Sequence, residues 1–229
     1  VIRDFTISEF WYLLLAARWT IVLAVVAFLG GSVVGVFIAL MRIAASRPLR
    51  ACAIAYIKTF QGTPLLMQLY LIYFGASMWG VPLEPWSAAT VAFTLYASAF
   101  LGEIWRGCIQ AIPRGQWEGA RSLALNYRQQ LRFVIAPQAL RIAIPPTVGF
   151  LVQLLKGTSL ASIIGFVELT RAAQMVNNAT FRPFTVYALV AAIYFSLCWP
   201  LSRLAERFER RLGRHELPPP GRTAMLGQT

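Results

Sequence analysis

Long charge-free runs alternate along this chain with short basic segments. Trp19 to Met41 is a run of 23 uncharged residues bounded by Arg18 and Arg42, long enough to cross a bilayer as a helix. Thr59 to Leu83 is a second such run, and Gly62-Thr63-Pro64 near its start marks a kink or the first turn of the membrane helix. Pro85 to Gly102 is a third, ending at Glu103 and Arg106. Ile142 to Leu155 is too short to cross alone, and Lys156-Gly157-Thr158-Ser159 separates it from Leu160 to Val167, so the two are read as one broken or kinked crossing. Pro183 to Ser202 is the last span. The pattern predicts an all-α integral membrane protein of about five transmembrane helices, with a short helix outside the bilayer between the third and fourth.

That short helix is the polar exception in the chain. From Gln116 to Tyr127, Trp117, Ala120, Leu123, Ala124 and Tyr127 recur at helical spacing and would share one face. Glu118 would fall in the first turn, where negative charge is favoured, with Arg121 and Arg128 towards the other end. Such a helix is too short to be stable alone. It either docks its apolar face into a partner or lies against the headgroups.

Charge distribution decides between classes. At 58% hydrophobic and 13% charged residues, the chain lies far from a water-soluble composition. The net charge of +12 is not gathered into one patch with interleaved aromatics, which argues against nucleic acid. Basic residues crowd 42–50, 106–141 and the segment after 203, whereas the 75–85 turn has none. The positive-inside tendency then predicts cytoplasmic placement for those three regions, an outside N-terminus and a cytoplasmic C-terminus. Cys52, Cys108 and Cys198 have no metal or redox spacing and read as lipid- or core-facing thiols, and His215 in the polar tail carries no evident chemistry. Walker, zinc-peptidase and carboxylate-cluster motifs are all lacking, so the chain reads as a non-enzyme that binds no cofactor itself.

Single residues leave alternatives open. Gly31 and Gly35, four apart, suit a close helix approach or ordinary glycine tolerance in a membrane helix. Glu103 is a membrane-edge acid and so a functional candidate, or it is the partner of Arg106 three residues on. Lys156 faces a polar cavity beside a helix break or snorkels to an interface.

Glu118-Gly119-Ala120, then Ala124, then Val134-Ile135-Ala136-Pro137, resembles the Glu-Ala-Ala motif of type I ABC importer permeases. Gly119 stands where that motif has Ala, Ala124 where it has Gly, and Ala136 where it has Leu. Gly62-Thr63-Pro64-Leu65-Leu66, Glu103-Ile104-Trp105-Arg106-Gly107, Leu155 to Leu160 and Glu168 to Ala173 extend the resemblance to the polar amino acid uptake permeases over nearly the whole chain. Three positions depart from that family: Lys58 replaces a common Glu, Gln61 an Arg, and Gly157 a frequent Asp.

The resemblance implies an N-terminal extracytoplasmic segment at 1–18, an ABC type-1 transmembrane domain at 19–211 and a polar cytoplasmic tail at 212–229, in a bacterial cytoplasmic membrane. The coupling stretch would be 113–137, contacting ATPase subunits through Trp117, Glu118, Gly119, Ala120, Arg121, Leu123, Ala124 and Tyr127. Thr63, Glu103, Lys156, Gly157, Thr158 and Ser159 would line the substrate path. It also implies a second permease copy or homologue, an external solute-binding protein, and ATP with magnesium on the partner ATPase. A stand-alone secondary transporter or channel using Glu103 and Lys156 is the alternative.

Overall fold

In the computed structural model, which describes residues 4–213, the chain is built from helices and connecting turns. His215 and all but the first two residues of the expected 212–229 tail lie outside the described residues. The long helices are α1 (Ile7–Ile43), α4 (Pro85–Gln110), α7 (Ala136–Gly157) and α9 (Pro183–Gly213). The shorter ones are α2 (Arg47–Gly62), α3 (Leu65–Met78), α5 (Arg114–Ser122), the single turn α6 (Tyr127–Gln129) and α8 (Leu169–Thr180).

Among the described residues, four segments are long and apolar enough to cross a bilayer: Ile7–Ile43, Pro85–Gln110, Tyr127–Ile164 and Pro183–Arg211. The expected second span is instead divided. Pro64 has no N–H to continue α2 and sits extended at φ −61°, ψ 135°, so the chain restarts there as α3. At 14 residues α3 is only about 21 Å long, short of the roughly 30 Å hydrocarbon core, so it stands beside the four long spans as a shorter apolar helix.

The fourth crossing is one element, as the sequence reading had it, but the irregularity within it is milder than a break. No break occurs at Lys156; α7 runs directly into a 3₁₀ segment, Thr158–Ile164, and the chain turns only at Gly165, at φ 87°. Tightening to 3₁₀ keeps the backbone groups paired, so the helix break expected beside Lys156 frees no N–H groups there. Ahead of α7, Gln130–Ile135 forms a π segment, with the Ala136 N–H reaching back to the Leu131 carbonyl. Pro137, which cannot donate and would crowd the preceding turn, follows at once and accounts for the widening.

Small residues settle how α1 meets α4. A Cβ on Gly31 would lie 2.5 Å from Ala97 Cβ, and one on Gly102 would lie 2.9 Å from Ile38 Cγ2. Gly31 and Gly35 thus serve a close, parallel helix contact, which is how helices associate where lipid offers no hydrophobic drive. Around that seam Leu23, Leu69, Phe93, Leu101 and Leu154 close the main core. A second core joins the start of α1 to α8 and α9 through Leu13, Leu169 and Val186.

Candidate functional site

Two regions hold the residues singled out by the sequence, and a third holds a cluster that sequence reasoning missed. The first is the polar segment between α4 and α7. Helix α5 begins at Arg114 and ends at Ser122, so Glu118 lies beyond the first turn, which holds no acid, while Arg121 is in the last turn. The helix is nine residues long, and Leu123, Ala124 and Tyr127 do not continue its face. Instead the chain turns through a left-handed Ala124, at φ 57°. The Leu125 N–H donates to the Ala120 carbonyl at 3.3 Å and the Ala124 N–H to the Arg121 carbonyl at 2.8 Å, the pairing of a helix C-terminal lock that normally takes glycine. This explains why the Glu-Ala-Ala motif carries Gly at that position.

The apolar face of α5 is spent within the chain. Ala120 is buried, and Trp117 packs on the cluster of Ile112, Ile135 and Ala139. The Trp117 ring stacks on Tyr127 at 6.1 Å between centroids with an 18° interplanar angle. Tyr127 in turn donates its hydroxyl to the Ile43 carbonyl at the end of α1, 3.4 Å away. The single amphipathic face expected from 116–127 is therefore corrected. Trp117, Ala120 and Tyr127 fix the segment to the bundle, and Glu118, Gly119, Arg121, Leu123 and Ala124 are what it presents outward. Leu123, an apolar residue 73% exposed, stands out among them.

The second region is where the α2/α3 break meets the end of α7. A Cβ on Gly157 would sit 3.6 Å from Leu65 Cδ2 and 3.7 Å from Phe93 Cε1, so a small side chain there has room. Gln68, buried and not anticipated, donates from Nε2 to the Phe60 carbonyl at 2.7 Å, the Thr63 carbonyl at 3.0 Å and Thr63 Oγ1 at 2.8 Å. It holds the break open, satisfying carbonyls that Pro64 strands. Lys156 is exposed on the single chain, and no ion pair among the described residues engages it. Ser159 is half-buried and donates to the Lys156 carbonyl at 2.9 Å. Thr158 differs from its neighbours. It is fully buried, and its hydroxyl is bonded to the Leu155 carbonyl at 2.7 Å.

Glu103 is likewise removed from that region. It bridges Arg106, one turn along α4, and Arg42 of α1 at 3.5 Å. Ten residues, about 15 Å of helix, separate it from Phe93 at the Gly157 level. Glu103 and Lys156 thus do not form the coupled pair that a stand-alone carrier would use.

The cluster missed by the sequence is centred on Glu168, fully buried ahead of α8. It accepts from the Arg171 N–H at 2.9 Å, capping the helix, and from the hydroxyls of Tyr194 at 3.1 Å and Thr20 at 3.3 Å. Thr20 also accepts the Leu169 N–H at 3.1 Å, so α1, α8 and α9 meet at one carboxyl group. Burial raises the Glu168 pKa above the usual carboxylate range, opposed by these hydrogen bonds. The Asp/Glu-x-x N-cap spacing was visible in the sequence; the partners, 148 and 26 residues away, were not.

A bundle of long apolar helices, with a chain break at Pro64 and a short helix fixed to it by a buried inner face, is the architecture of a multi-crossing membrane protein. Residues 31–214 match the family model described as "Binding-protein-dependent transport system inner membrane component", and the chain belongs to that family. It is 37% identical over 192 residues to the Probable amino-acid ABC transporter permease protein YckA of Bacillus subtilis, covering 84% of this chain and 85% of that one. It is 36% identical over 228 residues to the Nopaline transport system permease protein NocM of Agrobacterium fabrum, covering 95% of each. Among solved structures, the "Crystal structure of an amino acid ABC transporter with histidines" superposes with a TM-score of 0.86 at 36% identity, over 90% of this chain and 96% of that one.

Proposed function

We propose that this chain is the permease subunit of an ATP-driven importer of polar amino acids, with α5 as the element that couples it to a cytoplasmic ATPase. One observation carries the coupling role: α5 turns its apolar face into its own bundle and leaves Glu118, Arg121 and Leu123 exposed beside a locked turn. A rigid, charged ridge of that kind suits docking on another subunit and transmits its movement to α7 through the π segment. The relatives' printed names support amino acids as the cargo. The basic-residue asymmetry supports a cytoplasmic placement of α5, with the N-terminus outside and the C-terminus inside. ATP and magnesium belong to the ATPase, which closes and carries α5 with it, rocking the spans of this chain and of a second copy or homologue between outward- and inward-open states. An external binding protein delivers the substrate.

The substrate path in this reading runs past Thr63, Lys156, Gly157 and Ser159, where a discontinuous passage meets the α7 end. Glu103 and Thr158 are excluded from it. Lys156 supplies a cation for the substrate carboxylate, and Gly157 in place of an acid leaves nothing to attract a basic side chain, so neutral and acidic polar amino acids are favoured over arginine and lysine. The test is uptake into vesicles reconstituted with the ATPase and binding protein. Glu118→Lys should abolish uptake with membrane insertion intact, and Lys156→Met should weaken glutamine or glutamate uptake. Normal uptake by the first variant would remove α5 from the coupling role; arginine carried fastest, or full activity in the second, would overturn the path.

A further inference from the structure

At the end of α1 nearest α5, a cavity of about 680 Å³ is lined by Arg42, Arg50 and Arg114, by Trp117 and Tyr127, and by Ile109. Its charge is unbalanced. Arg42 shares Glu103 with Arg106, whereas no ion pair among the described residues engages Arg50 or Arg114. Arg50 is held in place by donating to the Ala44 carbonyl at 2.8 Å, leaving the rest of its fork free. Several guanidiniums around one polar cavity form a phosphate site, since the planar fork matches phosphate oxygens and cannot be deprotonated.

The neighbouring surface says which phosphate. Ile109 also lines a second, apolar groove of about 170 Å³, floored by Ala39 of α1 and by Ala136, Ala139 and Ala143 of α7. Val36 and Leu40 on the groove's rim are 45% and 46% exposed, within the charge-free part of α1. A basic chamber at the end of a membrane helix thus neighbours an apolar slot running back along the same helix, with Ile109 lining both. A soluble anion would need only the chamber, and an acidic protein surface would have no use for the slot.

We infer that these two neighbouring cavities bind one anionic phospholipid, with its phosphate among Arg42, Arg50 and Arg114 and an acyl chain passing Ile109 into the alanine-floored groove. Ala136 keeps the groove open, because a leucine there would fill it. A lipid held at this place touches Trp117 and Tyr127, which anchor α5, so it would steady the proposed coupling element. The inference rests on the membrane reading of the chain; its leaflet, though not its chemistry, rests on the proposed orientation.

Purified full-length permease, co-expressed with its partner subunits, should be assayed by native mass spectrometry against phosphatidylglycerol or cardiolipin, with phosphatidylcholine of matched chains as the competitor. The wild type should retain the anionic lipid preferentially. Arg50→Gln with Arg114→Gln should lower retention by about fivefold for each guanidinium removed. Ala136→Leu, which leaves every charge in place, should lower it as well. Retention unchanged in both variants would overturn the site. Displacement by millimolar inorganic phosphate together with an indifferent Ala136→Leu would overturn the lipid in favour of a free anion. Loss of the ATPase from the double-arginine variant with lipid retention intact would overturn it in favour of a protein contact. Retention is read without transport, so either proposal can fail while the other stands.

Discussion

The two ends of this bundle are built on opposite principles. At the Glu168 end, a fully buried carboxyl group, two hydroxyls and a helix cap satisfy one another among α1, α8 and α9. At the α5 end, short helices, a left-handed alanine and a π segment follow one another within some twenty residues, and most of the charges face outward. The first arrangement makes a stable corner, because both carboxylate oxygens of Glu168 have partners. The second spends stability on shape: its strained turn and widened helix hold α5 at a fixed angle with its charges free. The comparison teaches that polar groups are buried and paired at one end of the bundle and left exposed at the other.

The sharpest way to break the contrast is to remove the knot. Glu168→Ala should cost about 2 kcal/mol, because it uncaps α8 and removes the acceptor of the Thr20 and Tyr194 hydroxyls, leaving them only the Leu169 N–H and Thr170 as partners. Thermal unfolding in detergent should show a large fall in the midpoint, and an unchanged midpoint would mean the corner is held by its apolar contacts alone.

A smaller effect is expected from titrating the same group. The folded pKa lies above the unfolded value of about 4.3, so the native state holds its proton to higher pH. The stability this contributes is present below about pH 4.3 and is lost as pH rises through the folded pKa. Glu168→Gln should flatten that slope in melting curves taken across the acid range; an identical slope in the variant would assign it to other carboxylates.

At the α5 end, Ala124→Gly should relieve the left-handed turn and raise stability by about 1 kcal/mol. A loss instead would show that the added freedom of the unfolded chain outweighs the relieved strain. Glu118→Lys, on an exposed position, should change stability by less than about 0.5 kcal/mol even though uptake is lost. A melting point well below wild type would mean that Glu118 supports the fold and not a docking surface.

Much of this architecture was legible in the residues. Charge-free runs located α4, α9 and the later part of α1, since charges tend to mark the ends of a membrane helix. Helix α1 nevertheless starts at Ile7, twelve residues before the run that follows Arg18 and within the segment expected to precede the first span. The Glu103–Arg106 pair was readable because residues three apart on a helix are neighbours. Helix boundaries were harder to see: periodicity carried α5 on to Tyr127, although a turn at Ala124 ends it five residues earlier, because hydrophobic spacing averages over several residues and is blind to one backbone angle.

What the sequence by itself determined is the list of apolar segments, the basic ends and the membership of the Glu-Ala-Ala pattern, all of which are properties of neighbours in the chain. Only the tertiary structure decided which polar groups are spent and which are available. Thr158 and Glu103 looked alike as path candidates, yet one is sealed behind its own helix and the other is clamped by Arg42 from a different helix. Glu168 finds Thr20 and Tyr194 across long separations, and the three arginines of the α5 cavity come from three helices. Satisfaction of a buried polar group is a pairwise fact about space, and residues far apart in sequence carry no local signal of it.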